Sequence, residues 1–290
     1  GSGRAVWFLA HVVPWRARLG RSARQDEDGV RRMSVNDSRP VLERWRAEAL
    51  VSAAASALAA SAAGGLMCVT AGLRPGAVAF ASVGHIVFLA LVLLRLRGRS
   101  AMGRLGRANH ITFARSSVVV LCGASAIDPP TSAAAQWLLV VLAITALALD
   151  GVDGAVARRD GDASAFGAWF DQELDALFVL VLSAVVWRTG QTGPWILASG
   201  AWRYVFLLLV LCLPRLRREL PYSERRRVVC VVQIGALIAC VVPFVGPPIS
   251  TAIAGISLAV LSASFLVDIV LLARAPRSAA STTFSNPGTA

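Results

Sequence analysis

Four aspartates have the types and spacing to do chemistry. Asp150 and Asp153 are three residues apart, and Asp171 and Asp175 four apart, so on helices each pair projects from one face. Two such faces brought together form a pocket of four carboxylates, whose mutual repulsion calls for a cation. An all-oxygen donor set with no His or Cys nearby favours Mg²⁺ or Mn²⁺ over a structural zinc. The acids lie between two apolar runs, residues 137–149 and 176–187. Solvated acids at an interfacial helix end are the plainer reading, but ionisable groups at membrane depth are costly enough to mark function by default.

The residues between the acids sharpen this. Gly154 and Gly167 let a ligand or a backbone come close, and Ala155 and Ala157 keep the same surface low. Arg158 offers a planar fork for phosphate, and Ser164 a hydroxyl. Metal, small residues and an arginine together describe a pyrophosphate site.

The elements that position these groups must be membrane helices. Of the 290 residues 56% are hydrophobic and 16% charged, with a mean hydropathy of +0.63, which excludes an ordinary soluble core. The net charge is +12, all of the basic residues are Arg, and they cluster in short loops between apolar runs. That distribution fits positive-inside topology and anionic head groups rather than nucleic acid. Spans are expected near residues 49–72, 76–94, 109–127, 134–150, 167–187, 195–213, 228–245 and 249–272. The Arg-rich loops, residues 95–109 and 214–227, then fall on the cytoplasmic side with both termini, and the weakly charged turns fall outside. Cys68, Cys122, Cys212, Cys230 and Cys240 lie in apolar runs without metal spacing and read as small hydrophobes. His11, His85 and His110 are too scattered for a zinc site or a triad.

Asp150, Asp153, Gly154, Ala157, Arg158, Gly167, Asp171 and Asp175 fill every fixed position of D-x2-D-G-x2-A-R-x8-G-x3-D-x3-D. This resembles the signature of the CDP-alcohol phosphatidyltransferases. The resemblance implies an all-α membrane bundle with a six-helix catalytic core, a CDP-linked lipid donor such as CDP-diacylglycerol, an alcohol acceptor, release of CMP, two divalent cations (Mg²⁺ or Mn²⁺) and a homodimer. It makes Asp175 both a metal ligand and the general base for the acceptor hydroxyl. Asn109, Thr112 and Arg115 resemble the N-x-x-T-x-x-R opening of the family core, which implies contact with the CDP donor; a helix cap and a snorkelling anchor are the plain readings of Asn109 and Arg115. The stretch holding Arg226 and Arg227 resembles the place where related enzymes hold a phosphate-bearing alcohol, although these residues could simply set topology. Arg203 lies inside an apolar span with no acid of its own there, and a structural pair or a place near phosphate or lipid would each satisfy it.

The domain plan is a polar Arg-rich segment over residues 1–46, a transmembrane hairpin over 47–97, the catalytic core over 98–275 and a polar tail over 276–290. Residues 16–39 lack apolar periodicity and are expected to be mobile, and an interfacial helix could form over residues 6–19. Gly1 to Gly3 read as an appended remnant, and Met33 as an alternative start. The expected location is a bacterial inner membrane with the site facing the cytoplasm. The competing readings are a CDP-amino-alcohol phosphotransferase acting on diacylglycerol, an aspartate-rich prenyltransferase, a non-catalytic CDP-lipid binder, and a transporter whose ion path would include Asp268.

Overall fold

The computed structural model describes residues 35–96, 105–160, 164–213 and 224–274. The possible interfacial helix over residues 6–19, Arg217 and Arg218 of the second basic loop, the polar tail and the Arg158 side chain lie outside the described residues. Among those residues every regular element is helical: α1 (Val35–Ala71), α2 (Pro75–Leu96), α3 (Arg107–Ile127), α4 (Ala133–Asp160), α5 (Ala165–Arg188), a 3-10 turn (Pro194–Leu197), α6 (Ala198–Cys212), α7 (Glu224–Val241) and α8 (Pro247–Arg274). The chain is an all-α polytopic membrane bundle, and each of the eight expected spans overlaps one of the eight described α-helices.

Its polarity is inverted relative to a water-soluble protein. Leu58, Val69, Phe80 and Ile256 are exposed, while Ser56, His85, Asn109, Thr112, Arg115, Ser116, Ser117, Ser183 and Gln233 are buried. With hydrocarbon as solvent, apolar side chains face outward at no cost and polar groups must pair inside. Five helices are long and apolar enough to cross a membrane: Arg44–Ala71, Pro75–Arg95, Arg107–Ile127, Ala133–Ala157 and Pro247–Leu272. Pro194–Leu209 is a shorter apolar helix. The charges that interest the chemist set α5 and α7 apart: α5 carries Asp171, Glu173 and Asp175, and α7 opens with Glu224 and three arginines.

α3 is the axis of the bundle. Its span is 61% buried, against 22–28% for the other four, and it packs on α1, α2, α4 and α5. Val119 and Cys122 of α3 join Leu139 and Ala143 of α4, Leu174, Phe178 and Leu182 of α5, Leu237 of α7 and Ala254 of α8 in one core. A second cluster joins Trp45, Ala49 and Ala53 of α1 to Phe113 of α3 and to Phe166, Trp169 and Phe170 of α5. Gly200 explains how α6 comes so near α5: a Cβ there would stand 2.5 Å from Leu180 Cα, so nothing larger than hydrogen fits.

α1 begins at Val35, well before the expected start near residue 49 and inside the stretch expected to be mobile. The reason is a helical pattern too narrow to stand out in the sequence. Trp45, Ala49 and Ala53 recur every four residues and are all buried, while Arg44 and Glu48 pair at 3.8 Å across one turn.

Side-chain ties distinguish the two ends of the bundle. At one end the weakly charged turns meet: the Arg74 backbone N–H donates to Asp128 Oδ2 at 2.8 Å, Arg188 Nη2 donates to the Ile127 carbonyl at 3.3 Å, and Ser250 Oγ donates to Gln191 Oε1 at 2.9 Å. At the other, the Leu105 N–H donates to Glu48 Oε2 at 3.1 Å and Arg107 lies 3.9 Å from Asp160. The four aspartates belong to this second end.

Candidate active site

The site forms where three helices converge. α4 supplies Asp150 and Asp153, α5 supplies Asp171 and Asp175, and α3 supplies Asn109, Thr112 and Arg115. All three α3 residues are buried, as their spacing of one turn and then another along one face requires. α5 starts where it does because Ser164 caps it: its backbone is extended (φ −110°, ψ 152°) and its Oγ accepts from the Gly167 N–H at 3.0 Å.

Carboxylate oxygens of Asp150, Asp153 and Asp171 lie within 4.8 Å of one another. Arg115 stands among them, its side chain only 1% exposed. Nη1 pairs with Asp150 and lies 3.5 Å from Asp153 Oδ2, while Nη2 reaches Asp171 Oδ1 at 3.0 Å and Asp175 Oδ1 at 2.8 Å. Thr112 Oγ1 is 3.1 Å both from Asp153 Oδ2 and from the Ala108 carbonyl one turn back. The four acids thus share one cationic centre, as charges in a dry site must. An all-oxygen cluster of three converging carboxylates fits a hard divalent ion.

Gly167 of α5 lies directly against Asn109 of α3. A Cβ there would stand 2.5 Å from Asn109 Oδ1 and 3.1 Å from Ser164 Oγ, so the group that comes close at this glycine is a side chain of the protein itself. Asn109 is held in that position by donating Nδ2–H to the Leu105 carbonyl. Gly154 lies half-buried beside Asp153 on α4.

The arginines expected near an acceptor are spread differently. Arg203 donates to Glu173 through Nε at 3.2 Å and Nη2 at 2.5 Å; the acid absent from its own span comes from α5. Asp268, the acid a transport path would need, is paired with Arg225 at 2.6 Å and with Arg226 at 3.6 Å. Arg227 is exposed. Sequence reasoning missed Glu173, although it lies two residues from both Asp171 and Asp175 and so must face away from them on a helix. It also missed Glu48 and Ser52 of α1. The first accepts from Leu105 N–H, and Ser52 Oγ lies 2.8 Å from His110 Nδ1, so both hold the start of α3.

A family model for CDP-alcohol phosphatidyltransferase matches residues 105–270, more than half of the chain and all of α3 to α7. The chain belongs to this family. Members transfer a phosphoryl group from a CDP-alcohol to an acceptor, and this chain holds a cluster of aspartates that could bind a metal ion at one end of its membrane bundle. No curated protein and no solved structure matches the chain.

Proposed function

We propose that this CDP-alcohol phosphotransferase transfers a phosphatidyl group from CDP-diacylglycerol to the hydroxyl of an alcohol acceptor and releases CMP, as a step of phospholipid synthesis. The observation that carries the reading is the convergence of Asp150, Asp153, Asp171 and Asp175 on one partly dry site between α4 and α5.

Two divalent cations, Mg²⁺ or Mn²⁺, held by these four aspartates would draw charge from the pyrophosphate and from departing CMP. The remaining work falls to the chain itself. Asn109 and Thr112 fix one wall of the donor pocket, and Thr112 orients Asp153 through its hydroxyl. Gly154 and Gly167 keep that wall low, while Arg158 and Ser164 are assigned to the donor phosphates. Asp175 takes the proton from the acceptor hydroxyl as the new phosphoester bond forms, and the bond to CMP breaks on the opposite side of phosphorus. An aspartate is a weak base for an alcohol, so alignment of the reactants supplies much of the rate.

For the acceptor, Arg227 is assigned to phosphate contact, whereas Arg203 and Arg226 would first have to loosen from Glu173 and Asp268. The chain is placed in a bacterial inner membrane with the site facing the cytoplasm, a reading supported by the Arg-rich stretches of the sequence over residues 95–109 and 214–227. The homodimer implied by the family belongs to the same proposal, and native mass spectrometry of the detergent-free particle counts the copies.

CMP release in liposomes, with CDP-diacylglycerol, Mg²⁺ or Mn²⁺ and a panel of alcohols, tests the reaction. Acceptor-dependent CMP is expected from the native chain. Asp175→Asn should abolish it while leaving the protein folded, and substantial turnover by that variant would remove Asp175 as the base.

A further inference from the structure

We infer that Arg115 is an exchangeable counter-cation of the aspartate cluster: an incoming divalent cation binds by displacing its guanidinium from the carboxylates, which frees the fork for the anion that arrives with the metal. The inference rests on the metal-dependent reading of the site proposed above.

The guanidinium engages one carboxylate oxygen of each of the four acids. Its two terminal nitrogens reach Asp150 Oδ1, Asp153 Oδ2, Asp171 Oδ1 and Asp175 Oδ1, and Nη2 is also 3.4 Å from the Asp171 backbone carbonyl. A carboxylate oxygen facing an arginine nitrogen at hydrogen-bond distance cannot turn the same lone pairs to a hard cation about 2 Å away. Competition for these atoms is therefore steric as well as electrostatic.

Charge makes the exchange favourable. Four acids share a single guanidinium in a site where they are only 5–29% exposed, so one positive charge serves four carboxyl groups. A divalent cation answers that deficit better than Arg115 does, because it brings twice the charge on a smaller radius. Arg115 itself cannot shed its proton, so a displaced guanidinium must find another anion. A pyrophosphate entering with the cations is such an anion, and a planar fork suits it. Arg115 hangs from α3 one turn beyond Thr112 and two beyond Asn109, so it can swing along the same face without moving its helix. Metal and donor binding are coupled through this one side chain: before metal arrives it closes the site, and afterwards it serves the donor.

Mn²⁺ binding to the full-length protein in detergent, followed by electron paramagnetic resonance without donor, tests the exchange. Arg115→Gln, which keeps hydrogen-bond donors and removes the competing charge, should bind Mn²⁺ about tenfold to a hundredfold more tightly than the native chain, the range for one lost charge-assisted competitor. The same variant should melt at lower temperature in chelator and regain its melting point with Mn²⁺. Adding CDP-diacylglycerol should tighten Mn²⁺ in the native chain and do so less in the variant. If Arg115→Gln does not fold, Arg115→Lys carries the comparison; a single ammonium cannot reach four carboxylates, so tighter Mn²⁺ binding by a smaller factor is expected. Equal or weaker Mn²⁺ binding by the folded variant overturns the exchange and leaves the metal-dependent reading intact. Mn²⁺ binding by neither protein overturns both.

Discussion

At the scale of single residues, the site is governed by how closely α3 and α5 approach. Gly167 faces Asn109 Oδ1 and Ser164 Oγ with no room for a methyl group, and Asn109 cannot retreat without losing its bond to the Leu105 carbonyl. Gly167→Ala should therefore cost about 1–3 kcal/mol as an overpacked contact, seen as a lower melting temperature, and should raise the donor KM because Asn109 is pushed from its place. An unchanged melting temperature would mean that the helices separate freely here. Arg203 and Glu173 show a second residue-scale point. A charge inside an apolar span looks functional in sequence until its partner is known, and here the partner lies on another helix.

At the scale of elements, the hairpin of α1 and α2 is bound to α3 by polar groups as well as by packing. Ser56 Oγ donates to the Phe113 carbonyl at 2.7 Å and lies 2.9 Å from Ser117 Oγ, and His85 Nε2 lies 2.9 Å from Ser116 Oγ. In a lipid-facing bundle such a buried network fixes which faces of the helices meet. His85→Ala removes one member and leaves buried hydroxyls with fewer partners, at a cost of about 1–3 kcal/mol. The expected signature is faster hydrogen exchange over α1 and α2 than over α7 and α8; uniform exchange would show that packing alone docks the hairpin. Because α1 also holds the start of α3 through Glu48 and Ser52, a loosened hairpin should reach the donor wall at Asn109.

At the scale of the whole molecule, the orientation proposed from the Arg-rich stretches of the sequence can be read by labelling. In a chain freed of its native cysteines, Thr131→Cys, in the weakly charged turn, should react with a membrane-impermeant maleimide from outside intact cells. Arg227→Cys, at the end that carries the aspartates, should react only after the membrane is opened. The opposite pattern would invert the topology and put the site outside.

Legibility followed the range of the interactions. The four aspartates, the small residues around them and the eight described helices could be read from the chain, because helical spacing and apolar run length are local properties of sequence. The first turns of α1 were missed because the sequence there is rich in charged residues, with Arg44, Arg46 and Glu48 around the buried Trp45, which lowers the mean hydropathy without breaking the helix. The arginine in N-x-x-T-x-x-R was legible as a site residue, but not as the centre that all four acids share. That depends on α3, α4 and α5 converging across 35 to 60 positions of chain. The Glu173–Arg203 and Arg225–Asp268 pairs are of the same kind. Local spacing fixes which side of a helix a group occupies, whereas the choice of counter-charge depends on which helix faces it, and only the packing of the bundle decides that.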